Sequence, residues 1–154
     1  MNRHERRKAN RRLPKIVVTS EVYELTGKGG KPISLNVGPM RLWAEKHAER
    51  GTIPIEFDYI ERLLKDGAVK EDRVQAILRT QNPKPVLLCR AINDDGDEIV
   101  DGNHTYVALG LAWSLAHRDG TAPEGIAPRA RAYVFQPKDW RRFVIPTSHK
   151  VGKS

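Results

Sequence analysis

Cysteine occurs once, at Cys89. A single thiol excludes an internal disulfide and a cysteine-built zinc cage. Its place inside the apolar run Val86-Leu-Leu-Cys-Arg-Ala-Ile92 marks it as a core residue rather than a nucleophile. Five histidines are scattered without the H-E-x-x-H spacing of a zinc protease. No stretch approaches the roughly 18 apolar residues of a membrane span, so no membrane partner is expected. The charged N-terminal segment is followed by no apolar core of a secretory signal. With the lone thiol, this makes a reducing cytoplasm the expected compartment. Two Gly- and Asp-rich stretches lack the residues that would give them chemistry. Gly27-Lys-Gly-Gly-Lys-Pro32 has neither P-loop spacing nor the following Ser/Thr, and reads as a hairpin loop. Asn93-Asp-Asp-Gly-Asp97 lacks the later bidentate Glu of a calcium loop, and reads as a tight turn.

Charge is abundant but uneven. Residues 1–15 carry seven Lys/Arg and one Glu, residues 129–154 carry seven Lys/Arg and one Asp, and the stretch between has 13 basic and 17 acidic residues. The net charge of +8 therefore belongs to the two ends. Attachment to nucleic acid would run mainly through them, with Arg3, Arg6, Arg7, Lys8, Arg11 and Arg12 the expected phosphate contacts. Solubility alone is the competing use of such tails.

At 154 residues the chain is long enough for one domain with a real core and tight for two. After a basic arm over 1–15, strand pieces are expected at Ile16–Thr19 and Val22–Leu25. With a second strand at Ile33–Val37, they form a hairpin. Pro39 suits the first turn of a helix running to about Glu49, stopped by Gly51. Ile53–Phe57 is extended, and its Pro suggests an edge strand. Helices follow at Tyr59–Lys65 and Lys70–Gln81, the second with Val74, Ile77 and Leu78 on one face. Val86–Ile92 reads as a strand buried on both faces. Glu98–Val100 is a short strand, 103–118 a helix, Arg129–Phe135 an alternating strand, and Pro137–Ile145 a short closing helical element.

The chemistry concentrates where the Glu98–Val100 strand turns into the next helix. Gly102 permits a sharp corner, and Val107, Leu111 and Leu115 space one buried helical face behind it. Asn103 is a candidate cap for that helix. Asp101, Asn103, His104 and Thr105 thus gather at a helix N-terminus, whose orphan N–H groups and partial positive charge suit a phosphate.

The element order from residue 51, with Asp101-Gly-Asn-His-Thr-Tyr-Val-Ala108 at its centre, resembles the ParB/sulfiredoxin-like fold, often described as ParB-like nuclease. Ile53-Pro-Ile55 is similar to that family's Pro-containing opening strand. Arg73-Val-Gln-Ala-Ile77 is similar to its next helix, before a Pro-led strand. The resemblance implies an α+β fold over 51–145, a small mixed sheet flanked by helices. The basic arm, a hairpin-plus-helix extension over 16–50 and a tail over 146–154 would be additions. It also implies a nucleotide phosphate, ATP or CTP with Mg²⁺, at the corner, with Gly102, Asn103, Thr105, Arg73 and Thr80 around it. Sulfiredoxins carry a catalytic Cys where this chain has Asn103 and an Arg where it has Thr105, so sulfinic-acid reduction is not expected. The Arg-rich corner and following DNA-reading domain of ParB partition proteins are also missing from the sequence. The chain looks like a stand-alone small domain of phage or plasmid type, which implies a bacterial host cytoplasm.

Two functions remain open. In a nuclease or nucleotide-dependent phosphohydrolase, Asp101 would orient His104 or hold a divalent ion, and His104 would act as general acid/base or phosphate donor. Asn103, Thr105 and Arg73 would stabilise phosphoryl oxygens. The corner offers only one carboxylate, too few for a two-metal site. In a non-catalytic nucleotide- or DNA-binding module, or a host-interaction module, the same groups would only bind. A purely structural corner is the third reading.

Overall fold

The apolar run beginning at Val86 is explained by burial on both sides. In the computed structural model, which describes residues 21–80, 82–121, 125 and 127–146, this run is strand β4 (Val86–Asn93) at the interior of a four-stranded sheet. Alternate side chains go to opposite faces. Val86 and Leu88 enter one core, and Leu87 and Cys89 the other.

The chain is mixed α+β, with two sheets. Strands β1 (Val22–Thr26) and β2 (Pro32–Asn36) form the expected antiparallel hairpin, from Val22 opposite Asn36 to Thr26 opposite Pro32. A 3-10 turn at Lys28–Gly30 joins them. Helix α1 (Val37–His47) follows at once, with Pro39 in its first turn. Then come β3 (Glu49–Pro54), α2 (Phe57–Lys65) and α3 (Glu71–Leu78). After β4 the chain runs through β5 (Gly96–Asp101), α4 (Asn103–Arg118), β6 (Arg129–Phe135) and α5 (Pro137–Trp140). The large sheet has the order β3-β6-β4-β5, with β4 and β6 parallel and the other two pairs antiparallel.

Helices α2, α3 and α4 cover one face over Ile60, Leu63, Val74, Val86, Leu88, Val107 and Ala132. The hairpin, α1 and α5 cover the other, where Leu35, Met40, Leu87, Cys89, Phe135 and Trp140 pack together. Burying each large apolar side chain contributes about 1.5–3 kcal/mol before chain entropy is counted. The segment expected as an extension therefore supplies Leu25, Leu35, Val37, Met40 and Ala44 to a core of the sheet. Ile145 donates its N–H to the Ser34 carbonyl at 2.8 Å, tying the closing segment to the hairpin.

One expected stretch is corrected. The first helix stops at His47, and Gly51 lies inside a strand instead of ending a helix. Pairing with β6, from Glu49 opposite Val134 to Pro54 opposite Arg129, draws residues 49–54 into the sheet. Pro54 is the last residue of β3, and Phe57 already belongs to α2. The edge position inferred from Pro54 holds. Helix 70–81 is shorter than expected, at 71–78. The arm over 1–15 with its six expected phosphate contacts, Ile16–Thr19 and residues 147–154 lie outside the described residues. Among the described residues no helix is long and apolar enough to cross a membrane.

Candidate functional site

Strand β5 delivers Asp101 opposite Leu87, and the backbone reverses at Gly102 with φ 100°. A Cβ here would stand 2.9 Å from Val86 Cγ1 and 3.0 Å from Val86 Cα, so both the left-handed backbone and the close approach require glycine. Gly102 is the N-cap of α4, and its carbonyl accepts the Tyr106 N–H at 2.8 Å. The N–H groups of Asn103, His104 and Thr105 precede that first bond and have no acceptor within the helix. All three residues are half-buried.

Asn103 does not cap the helix, as the sequence suggested. It is the first helical residue, and its Oδ1 accepts the Tyr59 hydroxyl at 2.9 Å. Burial, then the charge of Glu98, pushes the Tyr59 phenol up to about 12, so it stays a donor. Tyr106 anchors the same helix, donating to the Pro54 carbonyl at 2.9 Å and accepting the Glu56 N–H at 2.6 Å.

The His104 Nε2 accepts the Lys70 backbone N–H at 3.0 Å. That bond assigns the ring proton to Nδ1. Burial foremost, then the positive charge of Arg73, holds the imidazole below its ordinary pKa of 6.5; Asp72 opposes this, Lys70 adds to it and Asp101 opposes it least. Lys70 is also the N-cap of α3, so the positive ends of two helices meet at this ring. Arg73 sits in the first turn of α3, exposed and close enough to His104 for its charge to be felt. Thr80 is not with them. It lies past the end of α3, about 10 Å of helical rise from Arg73, and its hydroxyl donates to the Ala76 carbonyl at 3.4 Å.

Asp101 is engaged from the opposite face of the sheet. Arg41 of α1 places Nε at 2.9 Å and Nη2 at 2.7 Å from its Oδ2, and Nη1 at 2.7 Å from the Pro85 carbonyl. The Arg41 side chain is only 16% exposed, that of Asp101 38%. Asp101 thus meets Arg41, while His104 meets Lys70, and the two are linked only by their charges. Among the described residues no group of three or more His, Cys, Asp or Glu is arranged to hold a metal, so Asp101 has no such co-ligands.

The corner brings together Gly102, Asn103, His104, Thr105 and, at its margin, Arg73. Arg41, Tyr59 and the Lys70 N–H complete it and were not found in the sequence. Tyr59 and Arg41 lie 44 and 60 residues from their corner partners, beyond any local spacing signal. Chemically the site offers N–H donors, an Nδ1–H and a hydroxyl to an anion. It does not offer an unused imidazole lone pair. No family model, curated protein or solved structure matches the chain.

Proposed function

We propose that this chain is a non-catalytic binding module whose corner at residues 102–105 receives a phosphate group of a nucleotide, on a ParB/sulfiredoxin-like arrangement of sheet and helices. The observation that carries this reading is the 3.0 Å bond from the Lys70 N–H to His104 Nε2. A general base needs that lone pair, and a general acid needs a second proton on that nitrogen. The bond opposes both, and so do the neighbouring charges of Arg73 and Lys70. Binding requires neither. Three orphan N–H groups, the Nδ1–H and the Thr105 hydroxyl suit phosphoryl oxygens, with Arg73 adding charge. ATP or CTP fits this donor set through its phosphates. Mg²⁺ would accompany the nucleotide rather than a protein cage, since Asp101 is tied to Arg41.

The test is binding and turnover measured side by side on the parent protein and His104→Ala, with ATP, CTP and nicked-plasmid assays in the presence of Mg²⁺ or Mn²⁺. The proposal expects no turnover in the parent. It expects His104→Ala to weaken nucleotide binding by about 1–3 kcal/mol, the order of one hydrogen bond to a charged group. Hydrolysis by the parent that is lost in His104→Ala would replace this reading with the nuclease or phosphohydrolase one.

A further inference from the structure

We propose that the β3–β6 edge of the sheet, which no described element covers, is a docking groove for the sugar-phosphate backbone of a nucleic-acid duplex. The proposal is independent of the corner, whose residues 101–105 line neither cleft described below. The hairpin and α1 pack over Leu87, Cys89 and Val100 on one face of the sheet. At its β3 edge lies a groove of about 450 Å³ lined by Arg50, Thr52, Asn82, Lys84 and Arg131 among others. It continues into a second of about 230 Å³, which shares Asn82, Lys84 and Arg131 and adds Arg129. Among the described residues, four cations and no carboxylate line the two clefts.

Two of these cations, Arg129 and Arg131, are held by neutral acceptors, and among the described residues neither is paired with a carboxylate. Arg129 donates from Nε to Thr52 Oγ1 at 2.8 Å and from Nη2 to the Thr52 carbonyl at 2.9 Å. Arg131 Nη2 donates to Asn82 Oδ1 at 2.8 Å and to the Pro83 carbonyl at 2.6 Å. Neutral acceptors fix a guanidinium and leave its full charge and remaining N–H donors available. Arg41, Arg90 and Arg118, in contrast, are each paired with an aspartate.

Geometry selects a linear polyanion over a small one. Arg129 and Arg131 are two residues apart on one strand, so they point to the same face about 7 Å apart. That is close to the separation of neighbouring phosphates along one nucleic-acid strand. Arg50 and Thr52 lie across from Tyr133 and Arg131 on the adjacent strand, widening the row. Among the described residues of the groove the one aromatic ring, Tyr133, is 8% exposed beneath the Arg50 guanidinium, which is 5.8 Å from its centroid. A single-strand site stacks bases on open aromatic faces, and none is offered here. Duplex backbone needs only charge and donors.

The experiment is fluorescence anisotropy of a labelled DNA duplex of arbitrary sequence, titrated with the full chain over a series of salt concentrations. Arg50→Gln/Lys84→Gln removes two cations and leaves the Arg129 and Arg131 bonds intact. The log–log salt slope should flatten by about 1.8, about 0.9 for each lost contact, with the thermal melt unchanged. Lys84→Gln alone, at an exposed position, should flatten it by about 0.9 and serves if the double variant folds poorly. Lys28→Gln/Lys65→Gln makes the same charge change elsewhere and should keep the parent slope. A parent that does not bind duplex, an unchanged slope in the groove variants, or an equal loss in the control would overturn the proposal. So would a single strand that competes better than duplex, or pyrophosphate that displaces duplex at equal phosphate concentration.

Discussion

Replacing Arg41 by Met keeps an unbranched apolar stem and removes the charge and donors of the side chain. Three hydrogen bonds go with them, two to Asp101 Oδ2 and one to the Pro85 carbonyl. Fully exposed pairs contribute about 0–1 kcal/mol, and breaking a fully buried one costs about 3–5 kcal/mol. This pair lies between, because Arg41 is 16% exposed while Asp101, at 38%, can recover water. The expected loss is therefore about 2 kcal/mol. With a urea m-value of about 2 kcal/mol/M, the unfolding midpoint should fall by about 1 M at unchanged slope. Asp101→Asn and the double variant complete a cycle, in which a coupling of about 1–2 kcal/mol is expected for groups in direct contact. A loss below about 0.5 kcal/mol, or additive single effects, would refute the reasoning. Asp101 would then not be held by Arg41 in solution, and its exclusion from proton or metal chemistry would lose its basis.

Two further predictions bear on the corner. Gly102→Ala should destabilise by about 2–4 kcal/mol, combining left-handed strain with the contact against Val86, and calorimetry or urea unfolding measures it; a loss under about 1 kcal/mol would contradict the close approach. His104 should titrate below 6.5 by NMR. Because its folded pKa is depressed, the unfolded chain binds more protons between the two values. The stability it contributes is complete above pH 6.5 and is lost as pH falls through the folded value. His104→Gln should flatten that part of the stability–pH profile, and a His104 that titrates above 6.5 would reverse the sign.

Local pattern made much of the architecture legible. Strand 129–135 was bounded correctly by its alternation. The helix of 103–118 was bounded correctly too, but its expected buried face was not: Leu111 and Leu115 are exposed at 36% and 44%, and Tyr106, Val107, Ala108 and Gly110 are buried instead, because the face set against the sheet starts at the corner itself. The continuous run from Val86 announced a strand buried on both faces. Strand β3 was misread because it is an edge: Glu49, Arg50, Gly51 and Thr52 are all exposed and carry no apolar alternation. Only its partner, β6, makes it a strand. The corner itself was legible, but its electrostatics were not. Asp101 and His104 are three residues apart and invite pairing, yet tertiary contacts give one to Arg41 and the other to Lys70. The basic groove was hidden likewise, since Arg50, Lys84, Arg129 and Arg131 meet only when β3 joins β6.

The central claim is that the orphan N–H groups of residues 103–105 receive a phosphate without chemistry. Amide chemical shifts followed by NMR while inorganic phosphate, ATP and CTP are titrated at constant ionic strength test it most directly. The account predicts saturable shifts at Asn103, His104 and Thr105, with smaller ones at Lys70 to Arg73 and no phosphate released from either nucleotide. Amides 103–105 that stay fixed through the titration, or nucleotide that is consumed as it is added, would contradict it.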